Sequence, residues 1–203
     1  MKEVMKNYNV CFLGQTGFGK SSLINALFDA HFNTDPLVAC TKELYSVTTL
    51  VKASEREKLL TVFDTPGIGE FSDNSPYQLY YNYAVSVADH IVLVVTLDRV
   101  DSTSQDLLES IKPFLKNNDV KFTVALNRID SNGVTDNDHT YVPWNEKTNE
   151  PSEQCISRIK ERLHTIKVNF LEDIEFLPFK TIPVCAMRNY GIDKLKEQIL
   201  QYL

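Results

Sequence analysis

The amino-acid sequence predicts an α/β fold of three layers: a six-stranded, mostly parallel sheet with one antiparallel strand and helices on both faces. Apolar runs rich in Val, Ile, Leu and Phe alternate with segments of helical periodicity, the pattern of a parallel sheet covered by helices. One short, charged connection at residues 54–57 suits an antiparallel hairpin. The 203 residues have the length of one domain, so residues 1–203 are expected to form a single folded unit.

The predicted elements follow one another in the order that such a sheet requires. Strands are predicted at residues 8–13, 44–51, 59–63, 90–96, 121–125 and 181–184, and helices at 20–28, 77–88, 104–116, 153–171 and 192–202. Residues 131–151 are polar, contain the only Trp and show no periodicity. Because this segment is longer than most connections between elements, we expect it to do more than connect.

Composition excludes several classes of protein. The net charge of −6 gives no general attraction to nucleic acid or anionic lipid, so charge does not indicate nucleic-acid or ribosome contact. The longest apolar run, residues 91–95, is far shorter than the roughly 20 residues of a membrane helix, and no signal-peptide core is visible. A cytoplasmic protein without a membrane segment is therefore expected. The four cysteines are isolated in sequence and predict neither a disulfide framework nor a zinc site.

Residues 14–21, GQTGFGKS, match the phosphate-binding pattern G-x-x-x-x-G-K-S between a predicted strand and a helix start. Backbone N–H groups at 17–22 can surround a β-phosphate, and the positive end of the helix dipole points at it. Lys20 is expected to reach the β- and γ-phosphates, and the Ser21 hydroxyl to bind Mg²⁺. The residues predicted to contact nucleotide here are Gln15, Thr16, Gly17, Phe18, Gly19, Lys20, Ser21 and Ser22. The alternative is a glycine-rich turn with a surface Lys and Ser.

The tetrapeptide DTPG at residues 64–67 follows a predicted strand. Its acidic residue, Asp64, suits a carboxylate that orients a Mg²⁺-bound water, and the Gly67 N–H can contact a γ-phosphate. Between the two motifs, Thr41 is the candidate second Mg²⁺ ligand, with a carbonyl that could hold the attacking water. The rivals of Thr41 are Thr34, Thr48 and Thr49, and Thr41 could instead simply begin a strand.

Base recognition is predicted at residues 127–130, NRID, after the apolar strand. The Asp130 carboxylate can accept hydrogen bonds from guanine N1–H and the 2-amino group, which adenine lacks, so GTP or GDP is favoured over ATP. Asn127 would brace the phosphate loop and contact guanine N7, and the Arg128 side chain would lie over the base. After the last strand, Cys185 and Ala186 would offer the Ala186 N–H to guanine O6.

These motifs, in this order, resemble the P-loop GTPases of the Era/HSR1 (TrmE-Era-EngA-related) group. Residues 14–28, 39–43 and 144–151 look most like bacterial YfjP-type GTPases. The resemblance implies a P-loop G-domain, Mg²⁺-dependent GTP hydrolysis, and Thr41 and Gly67 as switch residues. Two positions depart from the family pattern: Arg128 replaces the usual Lys of N-K-x-D, and Cys185 replaces a Ser before Ala186.

Slow hydrolysis is expected because Ile68 follows the D-x-x-G motif and cannot hydrogen-bond to water. Some related families position the water by dimerising across the nucleotide, and others use a K⁺ ion held by a P-loop Asn, which is Gly17 here. The predicted reaction is attack of water on the γ-phosphate, with charge stabilised by Lys20 and by Mg²⁺ on Ser21 and Thr41. Arg99 is either a surface side chain or an arginine finger supplied to another copy.

Three functions stay open on the residues alone. The first is a slow GTPase switch working through a protein effector or a nucleotide-dependent homodimer. The second is a GTP/GDP-sensing assembly or interaction module with incidental hydrolysis, and the third is a phosphotransferase, which the guanine signature disfavours. The tyrosines at 77, 80, 81 and 83 suit either core packing or a partner surface exposed by nucleotide state.

Overall fold

The structure is a computed structural model that describes residues 7–32, 34, 43–53, 56–67, 76–97, 102–117, 119–131, 141–170 and 178–203. The strands within these ranges are β1 (Tyr8–Leu13), β2 (Tyr45–Ala53), β3 (Arg56–Asp64), β4 (His90–Thr96), β5 (Lys121–Asn127), β6 (Trp144–Asn145), β7 (Glu150–Pro151) and β8 (Phe179–Pro183). The α-helices are α1 (Lys20–Phe28), α2 (Pro76–Ser86), α3 (Ser102–Asn117), α4 (Glu153–Thr165) and α5 (Ile192–Leu200).

Six of the strands form one sheet in the order β2-β3-β1-β4-β5-β8, which confirms the predicted six-stranded architecture. All neighbours are parallel except β2 and β3, which pair antiparallel. The β2–β3 pairing continues to Ala53 opposite Arg56, so two residues of the predicted charged turn belong to β3. Because the other strands run in parallel, the carboxyl ends of β1, β3, β5 and β8 meet at one edge of the sheet.

Two apolar cores lie on opposite faces of this sheet and make the third layer necessary. Successive residues of β1 alternate between them: Cys11 and Leu13 face the core under α2, α3 and α4, whereas Val10 and Phe12 face the core under α1 and α5. Strand β4 is buried along its whole length, as expected for a central parallel strand.

The tyrosines of α2 divide between the two roles left open by the sequence. Tyr81 is 4% exposed, belongs to the core, and its hydroxyl shares a 2.8 Å hydrogen bond with Ser110 of α3. Tyr80 and Tyr83 are 39% and 56% exposed, and the ring of Tyr83 packs edge-on against Phe63. The side chain of Tyr77 lies outside the described residues.

Apart from shifts at the ends of elements, the structure differs from the prediction in two places. The helix predicted to reach residue 171 ends at Thr165 and continues as a π-helical turn, Ile166–Phe170. The Thr165 hydroxyl donates to the Glu161 carbonyl at 3.0 Å, a bond that bends helices. The aperiodic segment contains the β6–β7 hairpin, whose strands are too short to show a period. Among the described residues, no helix is both long enough and apolar enough to cross a bilayer.

Candidate functional site

Four loops meet at the carboxyl edge of the sheet and form the candidate site. They follow β1, β3, β5 and β8, and each carries one of the motifs singled out in the sequence. Ligands of open α/β sheets bind in the crevice at this edge, because the loops there can be varied without disturbing the sheet. The motifs that are far apart in sequence are therefore close together in the fold.

The loop after β1 takes a conformation that only glycine adopts without strain. Gly19 has a φ of 84° and precedes the first residue of α1, and a Cβ there would lie 2.7 Å from Nδ2 of Asn127. Phe18 closes the turn by donating its N–H to the Gln15 carbonyl at 3.3 Å, and its buried ring anchors the loop in the core. The described residues give α1 no side-chain cap and no acid in its first turn. An anion can therefore approach the helix start.

Lys20 is the first residue of α1, and its side chain reaches back into this loop. Its Nζ donates to the carbonyls of Gly14 and Gln15 at 3.1 and 3.2 Å, and the residue is 6% exposed. A buried ammonium needs oxygen partners to offset its lost hydration. Phosphate oxygens carry more negative charge than these carbonyls, so a phosphate entering the loop would attract the same ammonium.

The Ser21 hydroxyl and the Asp64 carboxylate meet beside the helix start. Ser21 Oγ donates to Asp64 Oδ2 at 2.6 Å, and Asp64 is fully buried at the end of β3. Thr65 fixes the following loop, since its Oγ1 donates to the Phe12 carbonyl at 2.8 Å. A hydroxyl and a carboxylate are hard oxygen ligands of the kind that Mg²⁺ takes alongside phosphates, so these two side chains fit that ion.

Gly67 lies in direct contact with the phosphate loop. A Cβ at Gly67 would be 2.3 Å from the Thr16 nitrogen and 2.4 Å from its Cα, closer than two such atoms can approach. The loops after β1 and β3 therefore touch at a point where no side chain fits on residue 67.

Asn127, the last residue of β5, joins two other loops. Its Nδ2 donates to the Phe18 carbonyl at 2.9 Å, and its Oδ1 accepts the Ala186 N–H at 3.4 Å. Asn127 is 2% exposed; its bond to Phe18 is buried and its bond to Ala186 is partly buried. One amide thereby fixes the phosphate loop relative to the loop after β8.

Asp130 contacts a side chain that belongs to none of the sequence motifs. Arg188 donates from Nε to Asp130 Oδ2 at 3.1 Å, while its terminal nitrogens form a bidentate pair with Glu146 at 2.9 and 2.8 Å. Hydrogen bonding to Glu146 is the largest of the effects that raise the pKa of Arg188 above its ordinary value. These partners are 58 and 42 residues apart in sequence, and no local pattern signals such a pairing.

Cys185 supports this region through its backbone and its thiol. Its N–H donates to the Tyr190 carbonyl at 2.9 Å, so that amide is already used within the loop. Burial, followed by a hydrogen bond to Asp130, raises the pKa of the Cys185 thiol to about 12. The thiol therefore stays neutral at ordinary pH.

The other predicted contacts divide into described and undescribed positions. Arg128 has a φ of 54°, uncommon for a residue with a side chain, and its Nε lies 3.7 Å from where a Gly19 Cβ would be. Gly17 is exposed in the phosphate loop and Ser22 is half-buried in α1. Among the rivals of Thr41, Thr48 and Thr49 lie within β2, paired with β3. Thr41, Ile68 and Arg99 lie outside the described residues.

Comparison with known proteins identifies the family and the fold. A family model described as 50S ribosome-binding GTPase matches residues 9–128. Cell division control protein 10 of Saccharomyces cerevisiae is 40% identical over 78 residues, which cover 34% of this chain and 24% of that protein. Septin-12 of Rattus norvegicus is 37% identical over 73 residues, covering 33% and 20%. The matched part of this chain therefore spans a quarter or less of these relatives' length.

Solved structures show the same fold over nearly the whole chain. Era in complex with MgGDPNP and a 16S ribosomal RNA segment superposes with a TM-score of 0.68 at 21% identity, covering 98% of this chain and 58% of that one. A variant of Aquifex aeolicus Era bound to GDP and AlF4⁻ gives 0.65 at 20% identity, covering 98% and 57%. The family model matches more than half of the chain and ends at Arg128. The chain belongs to this GTPase family.

Proposed function

We propose that residues 1–203 form one G-domain that binds guanine nucleotide with Mg²⁺ and hydrolyses GTP to GDP and phosphate at a slow intrinsic rate. The observation that carries this proposal is the pair of hydrogen bonds that the Asn127 side chain forms with Phe18 and with Ala186, at 2.9 and 3.4 Å. It joins a phosphate-binding loop to a base-reading loop within one cleft. A nucleotide spans those two chemistries, with anionic phosphates at one end and a hydrogen-bonding base at the other.

At the phosphate end, the uncapped start of α1 and the Lys20 ammonium provide positive charge for the β- and γ-phosphates. Ser21 and Asp64 would hold Mg²⁺, which when bound neutralises charge on the phosphate oxygens. Water attacks the γ-phosphorus in line with the bond to the bridging oxygen, and that oxygen leaves with GDP. Lys20 and the backbone N–H groups of the loop, with that of Gly67, stabilise the charge that builds up.

At the base end, the Asp130 carboxylate accepts hydrogen bonds from guanine N1–H and the 2-amino group, and the Ala186 N–H donates to O6. ATP lacks the two donors and would leave the remaining acceptor positions of the carboxylate without partners, which disfavours its binding. Arg128 covers the base with its guanidinium plane, and its position above Gly19 supports that role.

The slow rate and the switch role follow from two loops. The Ile68 side chain cannot orient a water molecule by hydrogen bonding, so intrinsic hydrolysis is slow and faster hydrolysis needs a second copy of the chain or a protein effector. Contacts from the γ-phosphate to Thr41 and Gly67 would order their segments, and the loss of the phosphate would release them. Ile68 also supports a second candidate function, a GTP/GDP-sensing assembly or interaction module in which hydrolysis is incidental.

Phosphate release with GTP and Mg²⁺, measured at low and at high protein concentration, separates the two candidates. We expect a low rate per molecule that rises with concentration, because pairing supplies the missing water-positioning group. A low rate that is independent of concentration would leave hydrolysis to an effector protein. No turnover at either concentration, with GTP bound, would favour the sensing module.

The base assignment has its own test, the substitution Asp130→Asn. An amide presents a donor where the carboxylate accepts, so affinity should move from guanosine to xanthosine nucleotides, whose C2 carries an oxygen. Competition binding with GDP and XDP measures the change. Unaltered GDP affinity in D130N would contradict the assignment.

A further inference from the structure

The Arg188 guanidinium is fixed from three directions. Both terminal nitrogens engage the Glu146 carboxylate, Nε engages Asp130, and the guanidinium carbon lies 4.9 Å from the centre of the Trp144 ring. A fork that binds one carboxylate with two nitrogens has little freedom to rotate. Only its Nε side is directed at Asp130.

The β6–β7 hairpin forms the platform for this arginine. Trp144 is 4% exposed, its ring packs edge-on against Tyr190 at 5.5 Å, and its Nε1 donates to Asn149 Oδ1 at 3.1 Å. Asn149 in turn donates from Nδ2 to the Arg188 carbonyl at 3.2 Å. The hairpin therefore holds both the backbone and the side chain of Arg188, and this accounts for a segment whose sequence predicted no element.

We propose that Arg188 is a positioning residue for guanine recognition, and that the hairpin thereby belongs to the base site. This inference rests on the proposed function. A carboxylate has about four lone-pair directions, so the Nε bond to Oδ2 leaves acceptor capacity for guanine. A carboxylate that Arg188 holds presents its oxygens to N1–H and the 2-amino group without first losing rotational freedom.

The other reading is that Arg188 occupies Asp130 until guanine displaces it. Displacement would require the guanidinium to leave the bidentate pair with Glu146 and the Trp144 ring as well, because all three contacts use the same rigid plane. The contacts on the side away from Asp130 outnumber the single one toward it. The geometry favours an Arg188 side chain that acts as a brace, meaning that it stays bonded to Asp130 and Glu146 when guanine binds.

The test compares GDP with IDP, which lacks the 2-amino group and can give Asp130 only one hydrogen bond. Calorimetric titration is carried out on the wild-type chain, on Arg188→Met and on Glu146→Gln. We expect R188M to weaken GDP binding roughly tenfold and IDP binding less, so that the GDP/IDP affinity ratio falls at least threefold. E146Q loosens the brace without removing it, and should shift the ratio in the same direction by a smaller factor. Arg188→Lys should not restore the ratio, because an ammonium cannot form the fork.

Lys147→Met is the matched control, since it removes one positive charge from an exposed position of the same hairpin. Its GDP/IDP ratio should equal that of the wild type. In an Asp130→Asn background, R188M should change the ratio no further, because the carboxylate that it positions is gone. Thermal unfolding of each variant identifies any that fails to fold, and E146Q then carries the comparison.

Three results would overturn the inference. An unchanged GDP/IDP ratio in folded R188M, or an equal loss for both nucleotides, would give Arg188 a structural role only. A gain in GDP affinity would identify it as an occupant that guanine displaces. If the wild-type chain binds no guanine nucleotide, the proposed function itself fails and this inference fails with it, whereas the first two results leave nucleotide binding intact.

Discussion

The Asn127 side chain donates to the Phe18 carbonyl at 2.9 Å, across 109 residues of sequence. Its other end accepts the Ala186 N–H, so Asn127→Ala removes one buried and one partly buried bond and leaves a carbonyl and an N–H without this partner. We expect a loss of about 2 kcal/mol in the free energy of unfolding. GDP affinity should fall at least tenfold, since the two halves of the cleft lose their link. Chemical denaturation and GDP titration measure the two effects.

Asn9→Ala is the matched control. Asn9 donates from its side chain to the Val87 carbonyl at 2.9 Å near the opposite end of the sheet. Its removal should lower stability by a similar mechanism while leaving GDP affinity unchanged. Equal losses of GDP affinity in the two variants would mean that general destabilisation, and not the link at Asn127, controls binding.

Ser21→Ala tests the magnesium site. The substitution removes a hydroxyl that lies 2.6 Å from Asp64 Oδ2 and keeps the helix. In the wild type, chelating Mg²⁺ should weaken nucleotide binding. In S21A the ratio of the affinities with and without Mg²⁺ should be roughly ten times smaller than in the wild type. Ser86→Ala, an exposed hydroxyl on α2 that bonds the Tyr83 carbonyl, is the control. If Mg²⁺ strengthens nucleotide binding in S21A as much as in the wild type, residues other than Ser21 bind the ion.

Gly67→Ala should separate hydrolysis from binding. The new methyl group cannot fit 2.3 Å from the Thr16 nitrogen, so the loop must move away from the phosphate loop. GTP hydrolysis should fall roughly a hundredfold, the scale on which losing one preorganised donor acts. GDP has no γ-phosphate and serves as the internal control, with an affinity expected to stay within about twofold. A parallel loss of GDP affinity would show that residue 67 shapes the loop for every nucleotide.

A pH dependence of stability is expected from His90, which lies at the start of β4 and far from the cleft. Its ring is fully buried and shares a 2.8 Å hydrogen bond between Nε2 and Thr123 Oγ1. Burial, with a smaller contribution from Lys121, lowers the His90 pKa from 6.5 to about 3. The unfolded chain therefore binds a proton between these values and the folded chain does not. The neutral histidine contributes its full stability above pH 6.5, and the contribution is lost as the pH falls from there toward 3.

Between pH 7.5 and pH 5, the wild type should lose about 2 kcal/mol more stability than His90→Gln, since glutamine does not titrate. Urea unfolding at both pH values measures this difference. H90Q should be the less stable protein at pH 7.5, where the histidine packs as a neutral ring. Parallel pH profiles for the two proteins would mean that His90 titrates alike in the folded and unfolded chains.

The sequence predicted those features that depend on local patterns. Buried parallel strands such as β4 are continuous apolar runs, and the phosphate loop has a fixed spacing, so both can be located from the order of the residues alone. Side chains within a loop are harder to assign. Phe18 was predicted to contact nucleotide through its backbone N–H, and the loop pattern did not indicate that its ring packs in the core.

The pairing of Arg188 with both Asp130 and Glu146 could not be predicted, because it depends on how three distant segments come together. Hairpin strands of two residues are too short to show a period, and no local sequence pattern indicates which carboxylate an arginine will contact. The π-helical end of α4 was missed for a related reason, since the apolar spacing of residues 166–170 continues that of the helix. Local spacing in the sequence identifies the motif residues, whereas the tertiary fold decides which other side chains contact them.

The two bonds of Asn127 also have a consequence for how the cleft forms during synthesis. Residues 18, 127 and 186 are separated by 109 and 59 residues of sequence, so the cleft is complete only after β8 has joined the sheet. Closing such long loops is slow compared with local helix formation. An emerging chain that has exposed its phosphate loop, but not yet its last strand, should therefore be unable to retain nucleotide. Measuring nucleotide retention by ribosome-bound chains of increasing length would then show at which chain length the cleft is complete.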